Sequence, residues 1–414
     1  MASGDGEAKV PPPHAVTFTV VVAALGYFVD IYDLLLFLVV RRSSLLGIGV
    51  PPAELLEKGV LLFNMQMAGM LIGGIAWGVL GDKRGRLSVL FGSIVLYSLA
   101  NIANGLVHGV GSYATVRFIA GFGLAGELGA GITLVSELMS RQNRGYGTAI
   151  VAAVGICGAV VGALVGDLVP WRIAYFIGGG LGLALLILRL GVMESGMFRD
   201  ARNKGARRGN LLALLWPPRR LRRYLSVIAV GLPIWFVVGV LVGLAPELGR
   251  AMGMSPAPTA SRAVLFCYAG LAVGDLGSGI ASQLLGSRKK IVGAFIVLTA
   301  LMMTVYFLVG AGSLVTFYAT CVGLGLATGY WAVFVTIASE QFGTNLRATA
   351  TTTAPNFVRG AVVPITSAFL ALKPHLGLVG SAATVGAVTL VLSLIALTGI
   401  EETFGKDLDY LELV

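Results

Sequence analysis

Charge is what this chain has least of. Only 12% of its 414 residues are Asp, Glu, Lys or Arg, against about 25% in a soluble globular chain. So few charges cannot cover a water-facing surface for this length, which excludes an ordinary soluble domain and leaves lipid as the solvent for most of the outer surface. Cysteine is also scarce. Cys157, Cys267 and Cys321 each sit in an apolar stretch, which excludes a disulfide framework or metal-ligand spacing and reads as packing. The three histidines are His14 near the N-terminus and His108 and His375 at apparent helix ends. None falls mid-run, so any proton chemistry inside the apolar part must rest on carboxylates. There is no HExxH, phosphate loop or nucleophile–base set, so an enzyme is not expected, nor is a metal or cofactor. A receptor or scaffold would need a sizeable soluble domain, and residues 400–414 are too few for one.

What the chain does have is length in apolar runs. Hydrophobic residues make up 56% and glycine contributes 58 residues, a composition suited to membrane helices that approach closely through small residues. A helix needs about 20 apolar residues to cross a bilayer. Such runs lie near 15–40, 59–81, 87–107, 112–138, 145–168 and 171–193, then near 224–248, 261–285, 290–310, 313–340, 346–371 and 376–399. The expectation is an all-α membrane protein of twelve transmembrane helices. Residues 1–14 form a polar tail, 15–193 and 224–399 two six-helix bundles, 194–223 a linker between them, and 400–414 a second tail. The first run is too long for a signal peptide and is expected to stay as a span.

The net charge of +10 finds its explanation in topology. The linker carries Arg199, Arg202, Lys204, Arg207, Arg208, Arg219, Arg220, Arg222 and Arg223, and most remaining bases fall on the same side. The positive-inside rule then puts both termini in the cytoplasm. Nucleic acid need not be invoked; a bilayer, with the plasma (inner) membrane as its expected location, is partner enough.

The halves also echo each other at an offset of about 204 residues. Tyr113-Ala114-Thr115 recurs as Tyr318-Ala319-Thr320, Ser136-Glu137 as Ser339-Glu340, and Arg144 as Arg347. Gly74-Ile75-Ala76 and Gly81 are matched here with Gly279-Ile280-Ala281 and Gly286. Six spans apart, the repeats run parallel, an arrangement in which a solute site sits mid-membrane between two halves.

Three motifs carry the chemistry. The loop after the second run reads Gly78-Val79-Leu80-Gly81-Asp82-Lys83-Arg84-Gly85-Arg86. It resembles the signature G-x-x-x-D-[RK]-x-G-[RK] of the major facilitator superfamily, although Leu87 stands where a further base is usual. The fourth run opens Arg117-Phe118-Ile119-Ala120-Gly121-Phe122-Gly123, similar to the family's R-x-x-x-G-x-G helix. The resemblance implies the pseudo-symmetric two-bundle fold and alternating access. It also implies an inner gate at Asp82, Arg84 and Arg86, with Glu137, Arg144, Glu340 and Arg347 completing it and Asp82 meeting the helix that starts near Asn345. In the second half Ser287 is taken as standing where the acid would be, followed by Arg288, Lys289 and Lys290.

The first run holds Tyr27, Asp30 and Asp33. The two acids are three apart, about 60° around a helix, and read as sharing one side. Arg117 lies at similar depth. An Asp30/Asp33–Arg117 pair is therefore expected to carry the proton, with Glu127 deeper on the fourth helix; the alternative is a purely structural ion pair. The element around Asp30 and Asp33, with Gly126-Glu127, resembles the metabolite:proton symporters, which carry carboxylates and zwitterions; aromatic-acid symporters have a related D-x-x-D. Arg359, Asn356 and Asp275 in the second half, with Tyr27 in the first, are the candidate solute-binding residues, since guanidinium pairs bidentately with carboxylate. A packing pair between Arg359 and Asp275 is equally open. The expected function is proton-coupled symport of a small organic anion or zwitterion by a functional monomer. The rival is drug or metabolite efflux by proton antiport, against which the absence of proline from 145 to 169 weighs modestly.

Overall fold

A computed structural model of the chain describes residues 13–129, 131, 144–191 and 212–406. Among the described residues all regular structure is helical. In the first half these are α1 (Pro13–Gly47), α2 (Leu55–Arg84), α3 (Arg86–Asn104), α4 (Val110–Leu124), α5 (Arg144–Leu168) and α6 (Trp171–Leu188). The second half holds α7 (Pro218–Phe236, continued by a wider turn over Val237–Val242), α8 (Ala260–Leu284), α9 (Arg288–Val309), α10 (Leu314–Thr328), α11 (Trp331–Glu340), α12 (Thr344–Gly360) and α13 (Val362–Leu397).

Nine helices among the described residues are long and apolar enough to cross a membrane. Three of the expected runs are not counted separately among these nine. The apolar part of α3 is short, and the fourth run, 112–138, extends into residues outside those described. Residues 345–397 count as one stretch although Gly377, at φ +65° and ψ −179°, divides α13. Lipid-facing leucines and isoleucines such as Leu188, Leu284, Leu308 and Ile395 remain largely exposed, as expected where the surrounding solvent is hydrocarbon.

The halves are built alike. Helix α2 packs on α4 as α8 packs on α10, while α2 meets α12 and α5 meets α8 across the boundary between halves. Small residues make the first two contacts possible. The Gly121 position lies against the Gln66 carbonyl, and Gly325 lies against that of Cys267. Gly69 and Gly73 meet the α4 backbone at Phe118 and Phe122; Gly270 and Gly274 meet α10 at Val322 and Leu326. Any Cβ at these sites would collide with main chain, so the close crossing depends on glycine.

These contacts correct the register of the repeat. In the α4/α10 pair the offset is that of Gly121 and Gly325, but in α2/α8 it is that of Gly69 and Gly270, about one helical turn less than the sequence match assumed. Gly74 packs on Asn356 across the boundary, while Gly279 has no neighbour close enough to meet a Cβ. The true counterpart of the turn glycine Gly85 (φ +98°) is Gly286 (φ +58°). Ser287 therefore matches Arg86 rather than Asp82, and its hydroxyl caps α9 by accepting from Lys290 N–H at 3.2 Å.

Both halves also break a helix at the same place. Helix α4 ends at Leu124 and helix resumes at Glu127; α10 ends at Thr328 and resumes at Trp331 as α11. The freed polar groups find side-chain partners, as buried backbone must. Trp77 donates to Phe122 O (2.7 Å), Thr299 to Ala327 O (3.0 Å), and Asp275 accepts from Ala332 N–H (3.1 Å).

Candidate functional site

The restart of helix at Trp331 and the boundary between halves meet at a narrow central cavity of about 20 Å³, room for little more than one water. Tyr27 and Ile31 of α1 and Ile156 of α5 line it from the first half; Trp235, Tyr268, Trp331 and Arg359 line it from the second. Gly155 on α5 leaves the room that the Tyr27 ring fills. The restart of helix at Trp331 aims that indole into the cavity, where it meets Trp235 edge to face at 6.4 Å. The Arg359 guanidinium stands 5.6 Å from both indole rings, a cation–π environment.

Arg359 faces Asp30 across the boundary at 3.6 Å. Both side chains are buried, yet neither Asp30 oxygen nor any Arg359 nitrogen makes a hydrogen bond within the protein. The contact is a single long one rather than a bidentate fork. A planar anion entering the cavity would offer Arg359 the two parallel acceptors that Asp30 does not supply in this geometry.

The other expected site residues distribute differently from their sequence grouping. Asp33 does not share the cavity with Asp30. It points into the first bundle, toward α3 and α6, where Gly178 lies directly against its carboxylate. Arg117 donates to the Gln66 side-chain oxygen and stacks 4.7 Å from the Phe37 ring. It thus lies within electrostatic reach of Asp33 rather than paired with Asp30. Glu127 is bound by both terminal nitrogens of Arg189, and Arg189 also donates to Leu90 O at 2.8 Å. Asn356 donates to Ala125 O and Thr352 O, each at 2.8 Å, tying α12 to the break in the fourth helix. Asp275 holds the restart of α11 and makes no pair with Arg359.

Of the expected inner-gate residues, Glu137 lies outside the described residues, as do the side chains of Asp82, Arg86 and Arg144. Arg84 is exposed at the basic end of α2. Glu340 pairs with Arg288 at 2.9 Å, and Arg347 donates to Ser339 O at 3.2 Å. At the far end the halves are bridged by Arg41 and Glu247, with both carboxylate oxygens at 2.7 Å, and by Ser261 donating to Asp167 at 2.7 Å.

Sequence reasoning missed Gln66, Arg189, Arg41 and Glu247. Gln66 is neutral and gave no signal. The basic residues were absorbed into the count of loop charge, although Arg189 is 1% exposed and Arg41 2%. What would have found Arg189 is bookkeeping: a buried Glu127 requires a nearby base.

Residues 16–367 match the model of the Major Facilitator Superfamily. The chain is 26% identical over 402 residues to a probable 4-methylmuconolactone transporter of Cupriavidus pinatubonensis, covering 92% of this chain and 89% of that one. It is 25% identical over 350 residues to a putative niacin/nicotinamide transporter of Bacillus subtilis, covering 82% and 84%. The crystal structure of a D-xylose-proton symporter superposes with a TM-score of 0.70 at 18% identity, over 94% of this chain and 99% of that one. These matches make it a multi-pass membrane transporter and not an enzyme.

Proposed function

The chain belongs to the major facilitator superfamily, and we propose that it works as a proton-coupled symporter of a small organic anion, by alternating access about the central cavity. The observation that carries this reading is the Asp30–Arg359 pair: buried, joining the two halves, and lacking hydrogen bonds at both partners. The indole and phenol rings that line the cavity beside Arg359 favour a ring-bearing monocarboxylate. Among the solutes that the two relatives are named for, 4-methylmuconolactone and niacin fit that description, while nicotinamide shares the ring but not the charge.

Coupling follows from charge. Among the described residues of the interior, Arg359 stands beside Asp30 and Arg117 near Asp33, Asp275 is held by Ala332 N–H, and Glu127 and Arg189 neutralise each other. The arrangement already carries one negative charge too many when every acid is ionised. A carboxylate bound to Arg359 adds another and takes the guanidinium from Asp30. A buried carboxylate deprived of its counter-ion takes a proton instead. Solute anion and proton therefore bind each other into the site, and the loaded carrier holds no more net charge than the empty one when the halves rock. Asp30 and Asp33 hold the proton, Arg359 the solute carboxylate, and the basic end faces the cytoplasm.

The test is uptake of labelled nicotinate, benzoate, amino acids and sugars into liposomes holding the purified protein, with an inward proton gradient. Accumulation of a carboxylate that collapses with a protonophore is the expected result. Accumulation only under an outward proton gradient would replace symport by antiport. A double Asp30→Asn, Asp33→Asn variant that still responds to the gradient would overturn the coupling assignment.

A further inference from the structure

The first bundle contains a second polar region that the solute path does not touch. Ser98, Asn101 and Asn104 recur every three residues along α3, so they form one stripe, about 9 Å long. All three are fully buried. The stripe faces α1 and α6. Gly182 packs on the Ser98 hydroxyl and, one turn nearer the far end, Gly178 packs on the Asp33 carboxylate. Asn101 is the member level with Asp33, and Asn104 lies beyond it, at the last residue of α3.

The stripe has polar atoms to spare. The Ser98 hydroxyl and Asn104 Oδ1 have no partner within the protein, and Asp33 and Asn101 face each other without a full-strength hydrogen bond; the further link along the stripe is Asn104 Nδ2 to Asn101 Oδ1 at 3.5 Å. Leaving such groups dry costs about 1–3 kcal/mol each, and buried polar clusters of this kind are where proteins hold ordered water. A neighbouring cluster is closed on itself by protein hydrogen bonds. Tyr113, at the same end of the bundle, bonds both Tyr175 and Ser44, and Ser44 closes onto Arg41 O.

We infer that Asn104 and Asn101, with Ser98 one turn deeper, bind a column of water that leads from the far end of the first bundle to Asp33, a proton-entry route separate from the solute path between the halves. The charged and titratable groups around Asp33 suit the role: Arg117 from α4, Tyr97 from α3, Tyr175 from α6, and Tyr32 and Asp30 on its own helix. Arg117 is the only cation among them and is turned to Gln66. Asp33 can therefore take a proton from the column while Asp30, three residues away, answers to Arg359. This route rests on the proposed symport.

Two measurements on the full-length protein in sealed liposomes test it. The first needs no transport. In a background with Cys157, Cys267 and Cys321 changed to Ser, Asn101→Cys is exposed to Ag⁺, a thiol-reactive cation small enough for a water column. Blocking is scored after denaturation by lost maleimide labelling. Ag⁺ from the far-end side is expected to block Asn101→Cys but not Ile94→Cys, which is equally buried on α3 among apolar neighbours. Equal labelling of the two would overturn the column. The second compares Asn101→Leu with the wild type for proton-driven uptake of labelled nicotinate and for its exchange at equal pH. Accumulation is expected to fall about tenfold while exchange, which also reports folding, stays within about twofold. Wild-type-like accumulation in Asn101→Leu would sink the route. Failure of symport itself would look different, as wild-type uptake indifferent to the gradient.

Discussion

Two buried arginine–carboxylate pairs occupy this protein, and they are built in opposite ways. Glu127–Arg189 lies within the first bundle, with both carboxylate oxygens bound and Arg189 also held by Leu90 O. Asp30–Arg359 joins the two halves at 3.6 Å, with no hydrogen bond on either side. Burial is equally complete in both. The difference lies in satisfaction. A saturated pair has nothing to offer a ligand and serves to neutralise charge inside one rigid body. An unsaturated pair between the two halves leaves donors and acceptors open to a third group.

That contrast breaks most visibly in stability. Glu127→Leu strands Arg189 in a low-dielectric interior, and removing one partner of a buried pair costs about 3–5 kcal/mol. Thermal unfolding in detergent should shift strongly downward. Glu127→Leu combined with Arg189→Met should recover most of the loss, because replacing a whole buried pair by apolar residues is close to neutral. A double variant as unstable as the single one would mean that the pair does more than neutralise charge.

The cross-half pair should respond in transport instead. Arg359→Lys keeps the charge but loses the planar fork. Solute affinity should fall about a hundredfold, the equivalent of about 2.7 kcal/mol, with the unfolding temperature little changed. Unaltered affinity would remove Arg359 from the solute site. Asp30→Asn gives a smaller effect of a different kind. Exchange at equal pH should persist while the gain from a proton gradient drops about tenfold. A parallel loss of both would make Asp30 structural, like Glu127.

How much of this was legible beforehand depends on what angle and partner choice require. Asp30, Asp33, Arg117 and Arg359 declared themselves as charges in apolar runs. Their pairing did not, because 60° of rotation about α1 is enough to aim Asp30 at α12 and Asp33 at α3 and α6. Asn356 and Asp275 were read as solute ligands from depth alone. In the structure each holds backbone at a helix break, and a break created by local packing leaves no periodic trace. The two-half architecture was readable from the repeat, yet its register in α2 and α8 was a turn off. Short identical strings mattered less than which glycines meet a neighbouring backbone.

The smallest effect belongs at the basic end, where a third carboxylate combines the features of the other two. Glu402 is saturated like Glu127, accepting from the Ser287 hydroxyl and from the N–H groups of Arg288 (3.0 Å) and Lys289 (3.2 Å) at the start of α9. It stands in water rather than in the interior. Partial burial opposes its charge, but the Ser287 hydroxyl and the backbone N–H donors outweigh this and hold it below the usual carboxylate range. A depressed carboxyl contributes stability above its ordinary value of 4.5 and loses it as pH falls through the lower, folded value. Glu402→Gln should therefore cost about 0.5–1 kcal/mol near neutral pH, the scale of a helix N-terminal anion. The gap to wild type should close as acid protonates Glu402. A gap that persisted unchanged at low pH would mean that shape, not charge, docks residues 400–406 on the second bundle.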